Sequence, residues 1–591
     1  MKFIQSFLIN NPSFTVGLFL LLLFTGLVFS PFKASWLPDD LRNPVAVDAI
    51  PDLGENQQII FTTWQGRSPK DVEDQITYPL ASQLMGIAGV KNIRSFSFLG
   101  ISSIYLIFDE KSDFYWSRSR ILEKLNSLPD NLLPAGVKPT LGPDATPLGQ
   151  IYLYVLRAYT ESGDEIKGAF DLEELRTIQD FQVKLMLQAI PGVSEVSSVG
   201  GYVQEFQIQL DPQKLAFHKV TLMDVAKAVK SSNLDVGAKT MEYNHVEYLV
   251  RGLGFVKNKE DLEKIVIMHS KGTPLLLKQL AKVQLVPAFR RGILDDAGNE
   301  TVGGIVTARY GSNPMEVLKD VRQRVKSINK VLPTKTLQDG RSVKLRLMPY
   351  YDRTNVIQDT LLTLWQALKD EVLIASLVIL AFLFHAGSSL LLALILPFGI
   401  LLTFIGMKLI GIEANVVALS GIAIAIGVMG DIGIVLVENI QKNLENRSEL
   451  NVSQCILNAL SEVNAPILVA VSTTLISFLP IFFLSGAEGK LFKPLAYTKT
   501  LSIVAALVIA LFLLPPLAKY LQSPKYKTPN LWLAIPLSLF CYLYLVSSWM
   551  PLGMDASFTI NCIFVGILIS SLLAVLKVFL YLYPRLLLWV F

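Results

Sequence analysis

Hydrophobic positions follow two different rules along this chain. Beyond Glu371 they run nearly unbroken in stretches long enough for a membrane-crossing helix, and one similar stretch stands near the start, which predicts a bundle of about eight spans. The spans are Phe14 to Ser30, Val372 to His385, Leu390 to Ile410, Asn415 to Glu438, Pro466 to Leu484, Leu501 to Tyr520, Leu531 to Trp549 and Ile560 to Leu580. The second is short, although a helix running on from Thr360 lengthens it. Between about Pro31 and Lys369 charges are frequent and short apolar pieces alternate with polar ones, the pattern of strands and amphipathic helices around a water-soluble core.

That polar region contains a repeat. GIAGV near Ile87, then NIRSFSF, then SIYLIFD ending at Asp109 are matched by AIPGV near Ile190, then SEVSSVGG, then EFQIQLD ending at Asp211. Each copy follows an extended apolar run (Ile59 to Trp64, Ile151 to Leu156) and a helical pattern. The helices are Pro69 to Leu84, with Ser68 at the N-cap, and Asp171 to Ala189. A further helix, Phe114 to Ser127, follows the first copy. Strand, helix, strand, strand, helix makes up most of a ferredoxin-like βαβ unit, so a duplicated pair is expected. Thr221 and Asp224 have the spacing of a capping box opening another helix. From about Leu234 to Leu347 the pattern loosens, as an inserted docking module would.

Composition sharpens this picture. The 591 residues are 51% hydrophobic and carry a formal net charge of +4, too small for a nucleic-acid partner, and no basic stripe interleaved with aromatics occurs. The cysteines (Cys455, Cys541, Cys562) all lie in the apolar half, which leaves no disulfide framework in the polar region. Lys2 and the apolar run to Ser30 imitate a signal peptide, but SPFKAS is a poor cleavage site, and a retained first helix is expected. Basic residues in short loops (Lys442 and Arg447, then Lys519, Lys525 and Lys527) place both termini and those loops inside and the polar region outside. No phosphate loop, nucleophile elbow or zinc signature stands out, so an enzyme is not expected and neither is a cofactor. His218, His245 and His269 lack metal-ligand spacing.

The chemistry concentrates in one apolar run, GIAIAIGVMGDIGIVLVEN from Gly421 to Asn439. A charge near the bilayer centre costs at least about 2.5–3.5 kcal/mol, so Asp431 is expected to face a protein interior or a watery path, as in proton or ion coupling. Glu438, two turns on, shares its face and extends the relay toward a membrane exit. The plainer reading, an acid paired with a base only to lock two helices, stays open. Gly427, Gly430 and Gly433 read as close-approach positions for a neighbouring helix.

These segments, together with VEDQITYPL (Val72 to Leu80), FYWSRSRILEKLN (Phe114 to Asn126), LGPDATPLGQIY (Leu141 to Tyr152), YDRT (Tyr351 to Thr354) and GKLFKPLAYTKT (Gly489 to Thr500), resemble the N-terminal half of a resistance-nodulation-division (RND) efflux permease, most closely the heavy-metal efflux branch. The resemblance implies a trimeric, multi-pass inner-membrane pump of a bacterial cell with a large periplasmic domain, exchanging protons for metal cations. A periplasmic adaptor and an outer-membrane channel would be its partners. Asp431 matches the family's proton-relay acid and Glu438 the second acid of that helix. The implied organisation is a first transmembrane helix (1–31), a first porter subdomain (32–150), a second with its inserted docking module (151–347), transmembrane helices 2–6 (348–520) and an extra transmembrane hairpin (521–591).

Three departures bear on the substrate. Ala425 stands where divalent-cation members carry an aspartate, as in copper and silver members, whose membrane methionines Met429 matches; thioethers suit soft monovalent ions. Val417 breaks that methionine series, and a lone methionine is also ordinary apolar filling. A full permease has a second half, so a separate C-terminal chain is an expected partner, and Lys577 is the in-chain candidate to pair with Asp431. The alternatives are a drug or lipid exporter, or a non-transporting scaffold or inactive fragment of a split permease.

Overall fold

Helix α1 (Lys2–Asn10) meets α2 (Pro12–Phe29) at a bend of 99°. Pro12 explains the break: it has no N–H to give the preceding turn, and it holds Asn11 out of helical geometry, with φ −117° and ψ 70°. The computed structural model describes all residues except 1, 33–35, 271, 291, 384–385, 447–450, 522–530, 554–556 and 591. It comprises two compact units, one of Met1–Gly149, Tyr310–Leu318 and Arg353–Phe591, the other of Gln150–Arg309 and Lys319–Asp352.

In the first unit, β1 (Gln57–Thr63), β2 (Val90–Phe98), β3 (Ile101–Phe108) and β4 (Pro139–Leu141) form an antiparallel sheet in the order β2-β3-β1-β4. Helix α3 (residues 69–84) links β1 to β2, and α4 (Phe114–Asn126) follows β3. Ser68 caps α3 as expected. Its hydroxyl accepts from the Asp71 N–H while the Asp71 carboxylate accepts from the Ser68 N–H, a reciprocal pair that opens the helix beside Pro69. Alternation in β1 puts Ile60 on the face covered by Ile76, Leu80 and Leu84 of α3, Ile121 of α4 and Ile104 and Leu106 of β3, all buried.

The second unit begins with β5 (Gln150–Thr160), α5 (residues 172–188) and β6 (Val193–Gly200). The repeat predicted EFQIQLD as the hairpin partner of β6, and here the structure differs. Strand β7 (Gln204–Leu210) turns away and starts an insertion. Its later strands are the ribbon β8 (Val236–Tyr243) and β9 (Val246–Gly252), the hairpin β10 (Val266–Ser270) and β11 (Thr273–Leu276), then β12 (Ala281–Pro287), which pairs with β7; the short β13 (Leu294–Asp296) that follows already belongs to the main sheet. Beside β6 lies β14 (Asn299–Ala308), with Gly200 opposite Val302 and Val196 opposite Val306.

Side-chain size explains the exchange. A Cβ at Gly303 would lie 2.1 Å from the Tyr154 carbonyl oxygen and one at Gly304 2.4 Å from the Tyr154 hydroxyl, so a glycine pair is needed there, and EFQIQLD has none. The apolar face of β7 (Ile208, Leu210) instead packs on a core of its own with Val225, Leu262, Leu277, Leu280 and Val283. Helix α6 (Pro314–Val331), β15 (Thr334–Thr336) and β16 (Ser342–Asp352) complete the sheet, and the order β6-β14-β5-β16 parallels β2-β3-β1-β4. The loose pattern from Leu234 to Leu347 therefore covers two things: strands β8 to β12 of the insertion and, from Leu294, the second half of this sheet.

The remaining helices of the first unit are α7 (Arg353–Leu383), α8 (Ala386–Ile410), α9 (Val416–Asn446), α10 (Val452–Phe482), α11 (residues 486–521), α12 (Leu531–Trp549) and α13 (Phe558–Val590). Among the described residues five helices are long and apolar enough to cross a membrane: Leu390–Ile410, Val416–Leu444, Val452–Phe482, Gly486–Lys519 and Phe558–Tyr583. The bent pair α1–α2 makes up to six. The expected second span falls at the end of α7, with His385 outside the described residues, and the seventh coincides with α12. The fifth and sixth begin a full segment earlier than predicted. The fifth starts at Val452 rather than Pro466, which lies inside α10, and the sixth at Gly486 rather than Leu501. The loop residues Arg447, Lys525 and Lys527 used for orientation lie outside the described residues.

Candidate functional site

Helix α9 packs against α7, α8, α10 and α11. Its buried face is made by close approach. A Cβ at Gly433 would lie 2.4 Å from Ile395 Cδ1 of α8, and one at Gly421 2.6 Å from the Leu495 carbonyl oxygen of α11. Gly427 and Gly430 do not serve this purpose, because open space surrounds both. Thr403 of α8 ties the same bundle together: its hydroxyl donates to Gly399 O (2.7 Å) and lies 3.1 Å from the Ser502 hydroxyl of α11.

The other face of α9 is open along its length. Ile424, Gly427, Asp431, Val435 and Glu438 are all exposed in this chain, at helical spacing. The structure thus brings Asp431 and Glu438 onto one stripe. Among the described residues neither forms an ion pair, and Lys577, exposed on α13, does not meet Asp431. Met429 points elsewhere: it is fully buried, with its methyl group in the space left by Gly399 and beside Ile509. The structure therefore separates Met429 from the acid stripe. Among the described residues no three His, Cys, Asp or Glu side chains converge as a metal site would require.

Two charged groups escaped the sequence reading. Lys499 of α11 is only 9% exposed, and its Nζ lies 3.6 Å from the centroid of the Phe478 ring on α10, a cation–π contact inside the apolar bundle. At the sheet-proximal end of the bundle, Arg353 Nε lies 2.9 Å from Asp48 Oδ1 and its Nη2 donates to Asp48 Oδ2 at 2.9 Å, while Nη1 donates to Leu148 O at 2.6 Å. Glu413 stands near this pair, just ahead of α9. Burial pushes both the Asp48 and the Glu413 carboxyls above the usual carboxylate range. Arg353 partly offsets this at each, while the nearby charges of Asp48 and Asp52 push Glu413 further. YDRT contained Arg353, but nothing in its spacing pointed to Asp48, some three hundred positions earlier.

A sequence model described as the AcrB/AcrD/AcrF family matches residues 4–539. The chain belongs to that family of RND permeases. Within it, the chain is 39% identical over 485 residues to the cation efflux system protein CusA of Escherichia coli (strain K12), covering 80% of this chain and 45% of CusA. It is 38% identical over 480 residues to the putative cation efflux system protein SilA of Salmonella typhimurium (79% and 44%). Identity to the cobalt-zinc-cadmium resistance protein CzcA of Cupriavidus metallidurans is 31% over 481 residues (80% and 44%). The crystal structure of a heavy metal efflux pump superposes with a TM-score of 0.74 at 27% identity, over 92% of this chain and 52% of that one. The chain spans about half the length of the curated relatives it matches, and it has the mixed helix-and-sheet RND permease fold.

Proposed function

We propose that this chain supplies the N-terminal half of a proton-driven heavy-metal cation exporter of the bacterial inner membrane. The observation that carries this reading is the open stripe of α9, where two carboxylates line one exposed face of an apolar helix in a family whose similar members are named for cation efflux. Exposed to lipid, that stripe would be costly. Covered by a second half-permease, it becomes a buried path along which Asp431 and then Glu438 gain and release protons. Ionised and neutral Asp431 favour different packings against the covering helices, and the exchange between them drives the outward step. Metal cations are the cargo, and Met429 acts first as packing.

The two sheets, each with order 2-3-1-4 and two helices, we read as duplicated ferredoxin-like porter subdomains in the periplasm, the second interrupted by a docking module. The ribbon β8–β9 is exposed, with Tyr243 of β8 66% and Leu249 of β9 69% exposed, which favours a trimer in which it contacts another copy. A periplasmic adaptor and an outer-membrane channel complete the route.

The test is silver, copper and zinc tolerance of a pump-deficient bacterium expressing the chain with a C-terminal half-permease, beside an Asp431→Asn version. Tolerance that needs both halves and disappears with Asp431→Asn supports the reading. Insertion without tolerance in any combination moves the weight to a scaffold.

A further inference from the structure

The segment from Asn43 to Gly54 is bound along the sheet-proximal end of the helix bundle before it enters β1. Asn43 N donates to Val28 O (3.2 Å) and Val45 N to Phe29 O (2.9 Å), so the segment leaves α2 folded back on it. Lys408 at the end of α8 donates to Asn43 Oδ1 (2.7 Å) and Pro44 O (2.9 Å). Val47 and Ala414 then form a parallel bridge: Ala414 N donates to Ala46 O (2.7 Å), Asp48 N to Ala414 O (3.3 Å) and Val416 N to Ala49 O (3.2 Å). Val416 is the first residue of α9, whose opening N–H groups have no partner within the helix, so the segment supplies one of them. Further on, Gly54 O accepts from Lys490 near the start of α11, and Asp52 holds Gly54 N (2.9 Å) and the Thr146 hydroxyl (3.0 Å). Val45, Val47, Ala49 and Ala414 are all at most 5% exposed. A loop that merely connected a span to a sheet would be mobile and solvated. This one is built into the ends of α2, α8, α9 and α11.

We propose that this strap transmits the state of the acid-bearing helix α9 to strand β1, and that the Arg353–Asp48 pair is the positioning contact that keeps it in register. Three features carry the inference. The strap is hydrogen-bonded to α9 at its first turn, so an axial or tilting shift of α9 displaces Ala46–Ala49 directly. Asp48 cannot move alone, because the same Arg353 guanidinium is held by Leu148 O, in the turn that follows β4. And the pair is desolvated, with side chains 8% and 10% exposed, so breaking it leaves a buried unpaired charge and the joint has defined rather than graded states. Asp431 lies fifteen residues into α9, about 22 Å along a straight helix, within the reach of rigid-body motion. The inference rests on the proposed titration of Asp431, although its test needs no transport.

The experiment is hydrogen–deuterium exchange of the full chain in lipid nanodiscs, comparing native with Asp431→Asn, each in an Asp48 and an Asp48→Asn background. Asparagine keeps the size of the side chain and the bond from the Ala49 N–H, while removing the charge that holds Arg353. The expected result is a roughly threefold or larger change in amide exchange at residues 45–49 and 57–63 on Asp431→Asn, which vanishes when Asp48 is Asn. A change of equal size in both backgrounds, or none at the strap in the native background, overturns the proposal. A merely structural role for Asp48 would alter exchange without altering its dependence on residue 431. Where Asp48→Asn does not fold, Arg353→Lys replaces it: it keeps a charge beside Asp48 but cannot hold Leu148 O as well, and the 431-dependent change should fall below half the native one. Strap coupling without metal tolerance would overturn the function and leave the strap standing; tolerance without coupling would do the reverse.

Discussion

Gly399 and Met429 are matched to each other. An added methyl group at Gly399 would lie 2.0 Å from Met429 Cε, so Gly399→Ala is expected to cost about 1–3 kcal/mol through overpacking. Met429→Ala should cost about 2–5 kcal/mol through the cavity it leaves. Because each change relieves the other, the double variant should lose clearly less than the sum, read as thermal unfolding in nanodiscs through a double-mutant cycle. Arg353→Ala, which strands buried Asp48, should cost about 3–5 kcal/mol in the same assay. Glu413 adds a pH dependence whose sign follows from its raised pKa. The folded chain holds that proton more tightly than the unfolded chain, so its contribution is complete below the ordinary value of 4.5 and is lost as pH rises through the raised one. Glu413→Gln should therefore raise the unfolding temperature more at pH 7.5 than at pH 5. The capping residues Ser68 and Thr221 were legible in the sequence because a cap is a three-residue pattern. Gly399, Lys499 and the Asp48–Arg353 pair were not, because their partners lie far along the chain and no local spacing encodes them.

Among the elements, helices and their faces were easier to read than strand pairing. A strand's alternation says which side is buried but not which neighbour it has, and EFQIQLD alternates as well as β14 does. What decides is the glycine pair of β14 against Tyr154. If β14 is the true partner of β6, then replacing residues 201–301 by a two-residue Asn-Gly turn should close β6 and β14 as a hairpin and leave the second sheet folded. Circular dichroism and limited proteolysis of that shortened chain check this, and loss of the sheet would contradict the pairing. The π turns were also invisible in the sequence. Both α3 (Glu73–Thr77) and α5 (Gln179–Val183) contain one, and from each a side chain reaches the sheet: Thr77 to Ser102 (2.8 Å), and Gln179 to Tyr154 (2.9 Å) and Ser198 (3.2 Å).

Across the whole molecule, the eight-span expectation meets five to six helices of membrane-crossing length and apolarity among the described residues, while Asp431, expected to face an interior or a watery path, stands on the exposed face of α9 in this chain. The exposed stripe and the exposed ribbon make separate predictions. Deleting residues 236–252 should convert a trimer to smaller species in native mass spectrometry, whereas Asp431→Asn should leave assembly intact and abolish tolerance. Met429→Leu, which keeps the volume and removes the thioether, should leave metal tolerance unchanged if Met429 is packing. A loss confined to silver and copper would restore it as a ligand.

The insertion also sets a timetable. The first sheet draws all its strands from residues 57–141, so it can close as soon as that stretch has emerged. Strand β6, by contrast, waits from Gly200 to Val302 for its neighbour. At synthesis rates of about 5–20 residues per second, that is a pause of roughly 5–20 seconds in which both edges of β5 and the inner edge of β6 stay unpaired. The nascent chain is most open to mispairing and to chaperone capture in that interval, while β7 and β12 and the apolar cluster around them can already close within the insertion.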